Sequence, residues 1–138
     1  MTRRKRAIDE HYVRKASDET VSNSTTVQSD DEILFPVGVN ETWIFTIFLL
    51  YSTSGVADFK HQFSVPSGTA GRHETIGGEA AIASPLTTGG GASSRSITGV
   101  IRSGSTAGNI TLQWAQNTAE VSDTKVLADS VLTAHRVA

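Results

Sequence analysis

The residue types that could support chemistry lack the spacing that catalysis requires. GxSxG, phosphate-binding-loop and GxGxxG patterns do not occur, and the Gly89–Gly91 run continues into Ala92 and Ser93 without a strand-turn-helix context. Four histidines show neither HxH nor HxxxH spacing, so we expect them to lie at the surface or to be hydrogen-bonded: His11, His61, His73 and His135. We therefore expect no enzyme activity, no catalytic or metal site and no cofactor.

The main charge signal is a basic segment at the start of the chain. Residues 1–15 hold six of the twelve Lys and Arg residues, so the segment carries +4; because the whole chain carries −2, residues 16–138 carry −6. The six are Arg3, Arg4, Lys5, Arg6, Arg14 and Lys15. Such a segment can bind nucleic acid, an acidic membrane or an acidic protein surface. Nucleic acid would be held through its phosphates alone, with Tyr12 as the one aromatic residue that could stack on a base, so we favour a protein surface over nucleic acid. We also expect no membrane partner.

An acidic run at Asp30, Asp31 and Glu32 offers carboxylate ligands for calcium. It lacks the glycine and the ligand spacing of an EF-hand. We expect either a solvated turn before a strand or an acidic patch that meets the basic segment. With no cysteine in the chain, disulfides and thiolate chemistry are excluded, and stability must come from the core or from oligomerisation.

The arrangement of apolar residues predicts one β-domain preceded by an arm. Residues 1–28 are basic and polar and predict an extended arm, and residues 29–138 predict a β-sandwich domain. Two early strands, Ile33–Val37 and Glu41–Tyr51, are separated by a hairpin-like turn at 38–40. Pro36 cannot donate a ladder hydrogen bond, which places the first of these strands at an edge or bulge.

The strand over 41–51 is apolar on both faces, which is typical of a central strand or a subunit interface. A buried helix is the alternative, but aromatic and β-branched residues favour a strand. Trp43, Tyr51 or Trp114 would have to be exposed for a carbohydrate-binding module. We expect burial instead, and the predicted core or interface residues are Phe35, Trp43, Phe45, Ile47, Leu49, Phe63, Leu112 and Trp114.

Residues 67–94 contain seven of the twelve glycines and predict long surface loops with short possible strands near 79–83. Alternating strands follow around 97–101 and 110–114, and a closing strand is predicted over 130–137. About eight short strands joined by Gly, Ser and Pro turns predict an all-β fold, an antiparallel, jelly-roll-like sandwich.

The segments "KASDETVSNSTTVQSDDEILFPVGVNETWIFTIFLLYS", "FSVPSGTAG", "LQWAQNT" and "VLADSVLTAHRVA" resemble a family of small β-sandwich proteins encoded among the structural genes of tailed bacteriophages and prophages. The resemblance covers roughly residues 14–138, and the start "MTRRKRAIDEHY" departs from it. It implies a virion structural protein, located in the virion after assembly in the host cytoplasm, without distinguishing head from tail.

Three functions follow as hypotheses. The first is a capsid decoration or cement protein, a homo-oligomer expected to be a trimer, whose basic arm binds the major capsid protein or neighbouring copies. The second is a tail or fibre component that binds a host surface through the loops of residues 67–94. The third is the carbohydrate-binding module.

Overall fold

The computed structural model describes residues 10–89 and 91–138, and their strands form two antiparallel sheets. The twelve strands are β1 Glu10–Arg14, β2 Glu19–Val21, β3 Gln28–Val37, β4 Thr42–Thr53, β5 Phe59–Ser64, β6 Ala70–Thr75, β7 Gly78–Ala81, β8 Leu86–Thr88, β9 Gly91–Arg102, β10 Gly108–Gln116, β11 Thr124–Val126 and β12 Val131–Arg136. No helix occurs in these ranges, and so none that is long and apolar enough to cross a membrane.

The two sheets pack face to face. The first has the order β1-β12-β4-β9-β6-β7, with β11 pairing β2 and β4, and the second has the order β3-β10-β5-β8. The predicted all-β sandwich is confirmed.

The core lies between the sheets and is rich in aromatic residues. Alternate residues of β4 from Trp43 to Tyr51 point inward and are buried, as the sequence pattern predicted. Ring contacts continue across the sandwich, where the centroid of Phe45 lies 5.0 Å from that of Phe63 and Phe59 stacks on Trp114 at 5.8 Å. All eight residues predicted as core or interface are buried in this interior: Phe35, Trp43, Phe45, Ile47, Leu49, Phe63, Leu112 and Trp114.

The connection between β3 and β4 differs from the predicted hairpin. β3 pairs with β10 in the second sheet, whereas β4 lies between β12 and β9 in the first, so residues 38–41 cross from one sheet to the other. Local alternation does not distinguish these arrangements, because inward-facing residues look the same in either sheet. The edge position that Pro36 predicted for β3 is confirmed, and the pairing of β3 with β10 is also irregular.

Residues 67–94 are more ordered than the predicted long loops. They contain β6, β7 and β8 and the start of β9, with β6 and β7 joined by a tight turn in which Gly77 has a φ of 88°. Glycine suits that turn because it adopts positive φ without steric cost. The glycine-rich composition therefore marks short connections between strands.

The described part of the predicted arm, residues 10–28, belongs to the domain. β1 pairs antiparallel with β12 from Glu10 to Arg14, and β2 pairs with β11. The inward side of β1 supplies His11, whose ring lies 5.4 Å from that of Trp43. The polar composition of this segment did not predict a strand, because β1 is an edge strand with one exposed face.

Candidate interaction surface

The six cations of the predicted anchoring segment have different positions. Arg3, Arg4, Lys5 and Arg6 lie outside the described residues. Arg14 is at the end of β1, where its Nε donates to the Asp129 carboxylate at 2.7 Å and its side chain is 69% exposed. Lys15, the next residue, is fully buried.

Lys15 is surrounded by carboxylates. Its Nζ lies 3.1 Å from both carboxylate oxygens of Asp30 and 3.4 Å from Glu32 Oε2, and it donates to Glu19 Oε1. Burial acts to lower the pKa of Lys15, but the hydrogen bonds to Glu19 and Asp30 outweigh it and raise the pKa. The ammonium is therefore charged and joins the end of β1 to β2 and β3.

The Asp30 carboxylate also orders the acidic run. It accepts hydrogen bonds from the backbone N–H groups of Glu32 and Ile33, both at 2.9 Å, and from Trp114 Nε1 at 3.2 Å. The Glu32 carboxylate in turn accepts from the backbone N–H of Ala16 at 2.8 Å, which holds its pKa low. Of the two alternatives for this run, the structure shows the acidic patch that meets the basic segment.

This cluster changes the role assigned to Lys15. Because its side chain is enclosed and paired within the domain, Lys15 cannot contact a neighbouring protein, contrary to its inclusion in the anchoring segment. It fixes the start of the domain instead. Arg14 remains accessible, although Asp129 occupies one of its donors.

The outward face of the first sheet, which we call the outer face, carries exposed apolar residues at its centre. Ile44, Phe48 and Val100 are 43%, 48% and 44% exposed. Ile44 and Val100 are directly paired across β4 and β9. They border a depression of about 320 Å³ whose other side is formed by charged residues of β6 and β7. The alternation of β4 indicated that its second face is also apolar. The structure adds that, within the described chain, this face is left uncovered.

Strand register arranges the outer face in three rows, each crossing from β1 towards β7. The first row is Glu10, His135, Ile44, Val100 and Arg72; the second is Tyr12, Thr133, Thr46, Thr98, Glu74 and Glu79; the third is Arg14, Val131, Phe48 and Ser96. Charged residues in these rows are confined to β1, β6 and β7. Within these rows β4 and β9 carry no charged side chain, and β12 contributes His135. Beyond the first row, β9 ends with the exposed Arg102, which lies on the same face as Val100 and is paired with Thr42.

One of the four histidines, His61, differs from the expected surface or hydrogen-bonded positions. His61 on β5 and His73 on β6 face each other between the sheets, with ring centroids 5.2 Å apart. His73 Nε2 donates to the Ser84 carbonyl at 2.8 Å, but neither ring nitrogen of His61 has a hydrogen-bond partner among the described residues. Burial first, then the nearby His73 and Arg95, lower the pKa of His61 to about 3, so its ring is neutral. The sequence signal was its position between Phe59 and Phe63 on the apolar face of β5.

The described residues contain no group of three or more His, Asp or Glu side chains placed to hold a metal ion. Trp43, Tyr51 and Trp114 are 2%, 1% and 0% exposed. The carbohydrate-binding hypothesis required at least one of these rings on the surface, and it therefore loses its basis. Features that remain available for binding include the outer face, the exposed Ile76 in the β6–β7 turn and the basic residues that precede Glu10 in the sequence.

Comparison with known proteins gives distant structural matches. No family model matches the chain, and no curated protein sequence matches it significantly. The chain is similar to the tripod (BppUct-A-L) from the baseplate of bacteriophage Tuc2009, at 15% identity and a TM-score of 0.37, covering 88% of this chain and 64% of that one.

Two further matches come from infectious bursal disease virus. The Gx strain structure matches at 9% identity and a TM-score of 0.29, over 92% of this chain and 37% of that one. The VP2 subviral particle matches at 12% identity and a TM-score of 0.25, over 94% and 37%. This chain thus spans less than two thirds of the length of each of the three matched chains. At such identities and TM-scores, these similarities give no basis for assigning a function.

Proposed function

We propose that this chain is a bacteriophage virion structural protein that decorates the capsid, bound to the major capsid protein and to other copies of itself. The proposal is supported by the sequence resemblance described above and by an all-β domain whose conspicuous surface features suit binding. The observation that carries it is the anchored start of the domain. β1 is paired along its length with β12, and Lys15 is fixed by three carboxylates.

This anchoring gives the preceding basic residues a fixed origin. Residues 3–6 supply four cations, and three residues separate them from a strand that is integral to the domain. Arg and Lys side chains form charge-assisted hydrogen bonds with carboxylates, so an acidic surface on a capsid protein or a neighbouring copy is the partner chemistry that fits. Strain on this tether would be transmitted to the sheet through β1 and the Lys15 cluster.

The test is the presence of the chain in particles and its dependence on the tether. Particles purified from cells carrying the gene should contain the chain. Replacing Arg3, Arg4 and Arg6 by Gln should remove it from particles and leave it soluble. A matched variant replaces Lys60, Arg102 and Lys125 by Gln, which makes the same change in net charge on the domain, and should retain attachment. Absence of the unmodified chain from particles, or unchanged attachment of the first variant, would contradict the proposal.

A second candidate function is a tail or fibre component that binds a host surface. It is favoured by the β6–β7 turn, where Ile76 is 82% exposed at the tip of a hairpin on the sheet edge. An apolar tip on a short rigid hairpin can insert into a receptor pocket. Excess free protein should then block adsorption of particles to host cells, and Ile76→Ser should remove the block. Adsorption unaffected by the free protein would count against this candidate.

A further inference from the structure

The outer face of the first sheet has the composition of a binding interface. The two central strands of its six-strand order, β4 and β9, present Ile44, Phe48 and Val100 together with Thr and Ser residues and no charge in the three rows. Charged side chains occur at both margins, on β1 and on β6 and β7. An apolar centre with a polar rim is typical of a protein–protein interface.

We propose that the outer face binds the outer face of a second copy of this chain, related by a two-fold axis that runs parallel to the strands and passes between β4 and β9. The midline of the face runs between β4 and β9. Rotation about the axis places each strand of one copy opposite the strand of the other copy that lies at the same distance on the other side of this midline. β4 then faces the partner's β9, and β1 and β12 face the partner's β7 and β6. Ile44 of one copy meets Val100 of the other, and the reverse contact follows by symmetry.

Charge complementarity favours a second copy as the occupant. The first row has Glu10 at the β1 margin and Arg72 at the β6 margin. The same rotation places Glu10 of each copy one strand spacing from Arg72 of the other, so that two symmetric ion pairs can form in exchange for the exposed Arg72–Glu79 contact of 3.4 Å within each copy. In the second row, the exposed Tyr12, whose hydroxyl donates to Glu10 Oε2 at 2.9 Å within its own chain, comes opposite Glu79 of the other copy. Each margin carries both signs, with Glu10 and Arg14 on β1 and with Arg72, Glu74 and Glu79 on β6 and β7, so a partner of uniform charge would match neither margin fully.

The size of the face indicates a weak but specific association. Six strands spaced about 4.8 Å apart make a face about 24 Å wide. Three rows of side chains extend along about 20 Å of strand, so that about 500 Å² of each copy, or about 1,000 Å² in total, would be covered. This is near the lower limit for specific interfaces, and we expect a dissociation constant in the micromolar range.

The first test is the mass of the full chain in solution, measured by sedimentation velocity over about a hundredfold range of concentration. Mass should rise from that of one chain to that of two. Val100→Glu places a charge at the apolar centre and should weaken association at least about tenfold. Val56→Glu is the matched control, because Val56 is an exposed valine in the β4–β5 turn, and it should leave association unchanged. A monomer at all concentrations, the trimer expected from the sequence, or a dimer insensitive to Val100→Glu would overturn the inference.

The second test examines the two-fold register by charge exchange. Glu10→Arg and Arg72→Glu should each weaken association several-fold, because each places like charges together across the interface. The double variant should restore most of the loss. Far-UV circular dichroism of each variant checks that it folds. Single variants without effect, or a double variant weaker than both singles, would overturn the proposed register. These measurements use no particle, so their outcome is separate from that of the capsid test.

Discussion

The Lys15 cluster and the His61–His73 pair are both buried polar groups, but they are accommodated in different ways. Lys15 keeps its charge and is surrounded by Asp30, Glu19 and Glu32 at bonding distance. His61 has no partner for either nitrogen in the described chain and stays neutral. In one region the charge is compensated, and in the other it is avoided. The difference shows which buried polar residue holds the structure together and which one only tolerates burial.

A buried ion cluster is sensitive to removal of one member. The three carboxylates around Lys15 are arranged for a cation, so its loss leaves negative charges close together with little water. A neutral, unbonded imidazole is close to an apolar ring in its requirements, and removing it leaves no partner behind. The following predictions test this contrast.

The largest effect is expected from Lys15→Met. The substitution retains most of the volume but removes the charge, and we expect the free energy of unfolding to fall by about 3–5 kcal/mol. Denaturant unfolding at neutral pH measures it. Lys60→Met, on the half-buried exterior of β5, is the control and should change stability by less than about 1 kcal/mol. A similarly small loss in Lys15→Met would show that the cluster contributes little to stability.

An effect of intermediate size on the free energy of unfolding is expected from lowering the pH. Because the folded-state pKa of His61 is about 3, the unfolded chain binds a proton near pH 6.5 while the folded chain does not, and stability falls as the pH drops from about 6.5 towards 3. His61→Leu removes this titration. Between pH 7 and pH 5, the unmodified chain should lose about 2 kcal/mol more than His61→Leu.

Denaturant unfolding at the two pH values measures the difference, and His61→Leu should be within about 1 kcal/mol of the unmodified chain at pH 7. His73 is retained in both proteins, so its own lowered pKa, caused mainly by burial, contributes equally to both. Equal acid sensitivity of the two proteins would contradict a neutral, unbonded His61.

The smallest effect is expected from Arg14→Gln. Arg14 precedes Lys15 in the chain, but its pair with Asp129 is exposed on both sides, and such pairs contribute at most about 0.5 kcal/mol. Thermal unfolding of this variant beside Lys15→Met compares two adjacent cations in different surroundings. A loss as large as that of Lys15→Met would mean that position in the segment, rather than burial, determines the effect.

Much of the fold could be predicted because alternation along a strand depends on local sequence. The aromatic residues of β4 and β10 predicted buried strands, and Pro36 predicted an edge. Sheet membership could not be predicted in the same way. It depends on pairing between distant residues, such as Glu10 with His135, that no local pattern reports. For this reason local alternation predicts a hairpin after β3, and polar composition predicts an arm that includes the residues of β1.

The candidate surface was less predictable than the fold. The charge asymmetry of the sequence identified the basic segment, but only the structure distinguishes exposed Arg14 from enclosed Lys15. Two neighbouring cations look alike in sequence because burial is set by what the rest of the chain places around them. The sequence predicted that the second face of β4 is apolar. Whether this face is covered by another part of the chain or is available as an interface depends on the tertiary structure, which the sequence pattern does not report.

The pairing of β1 with β12 also has a consequence for synthesis. Because β1 pairs with β12, a growing polypeptide cannot complete this side of the first sheet until residues 131–136 have been made. Until then, the edge of β4 that β12 will occupy is open to pairing with other chains. Products that end before residue 131 would therefore be prone to aggregate, and β1 takes its final position only when β12 has been made.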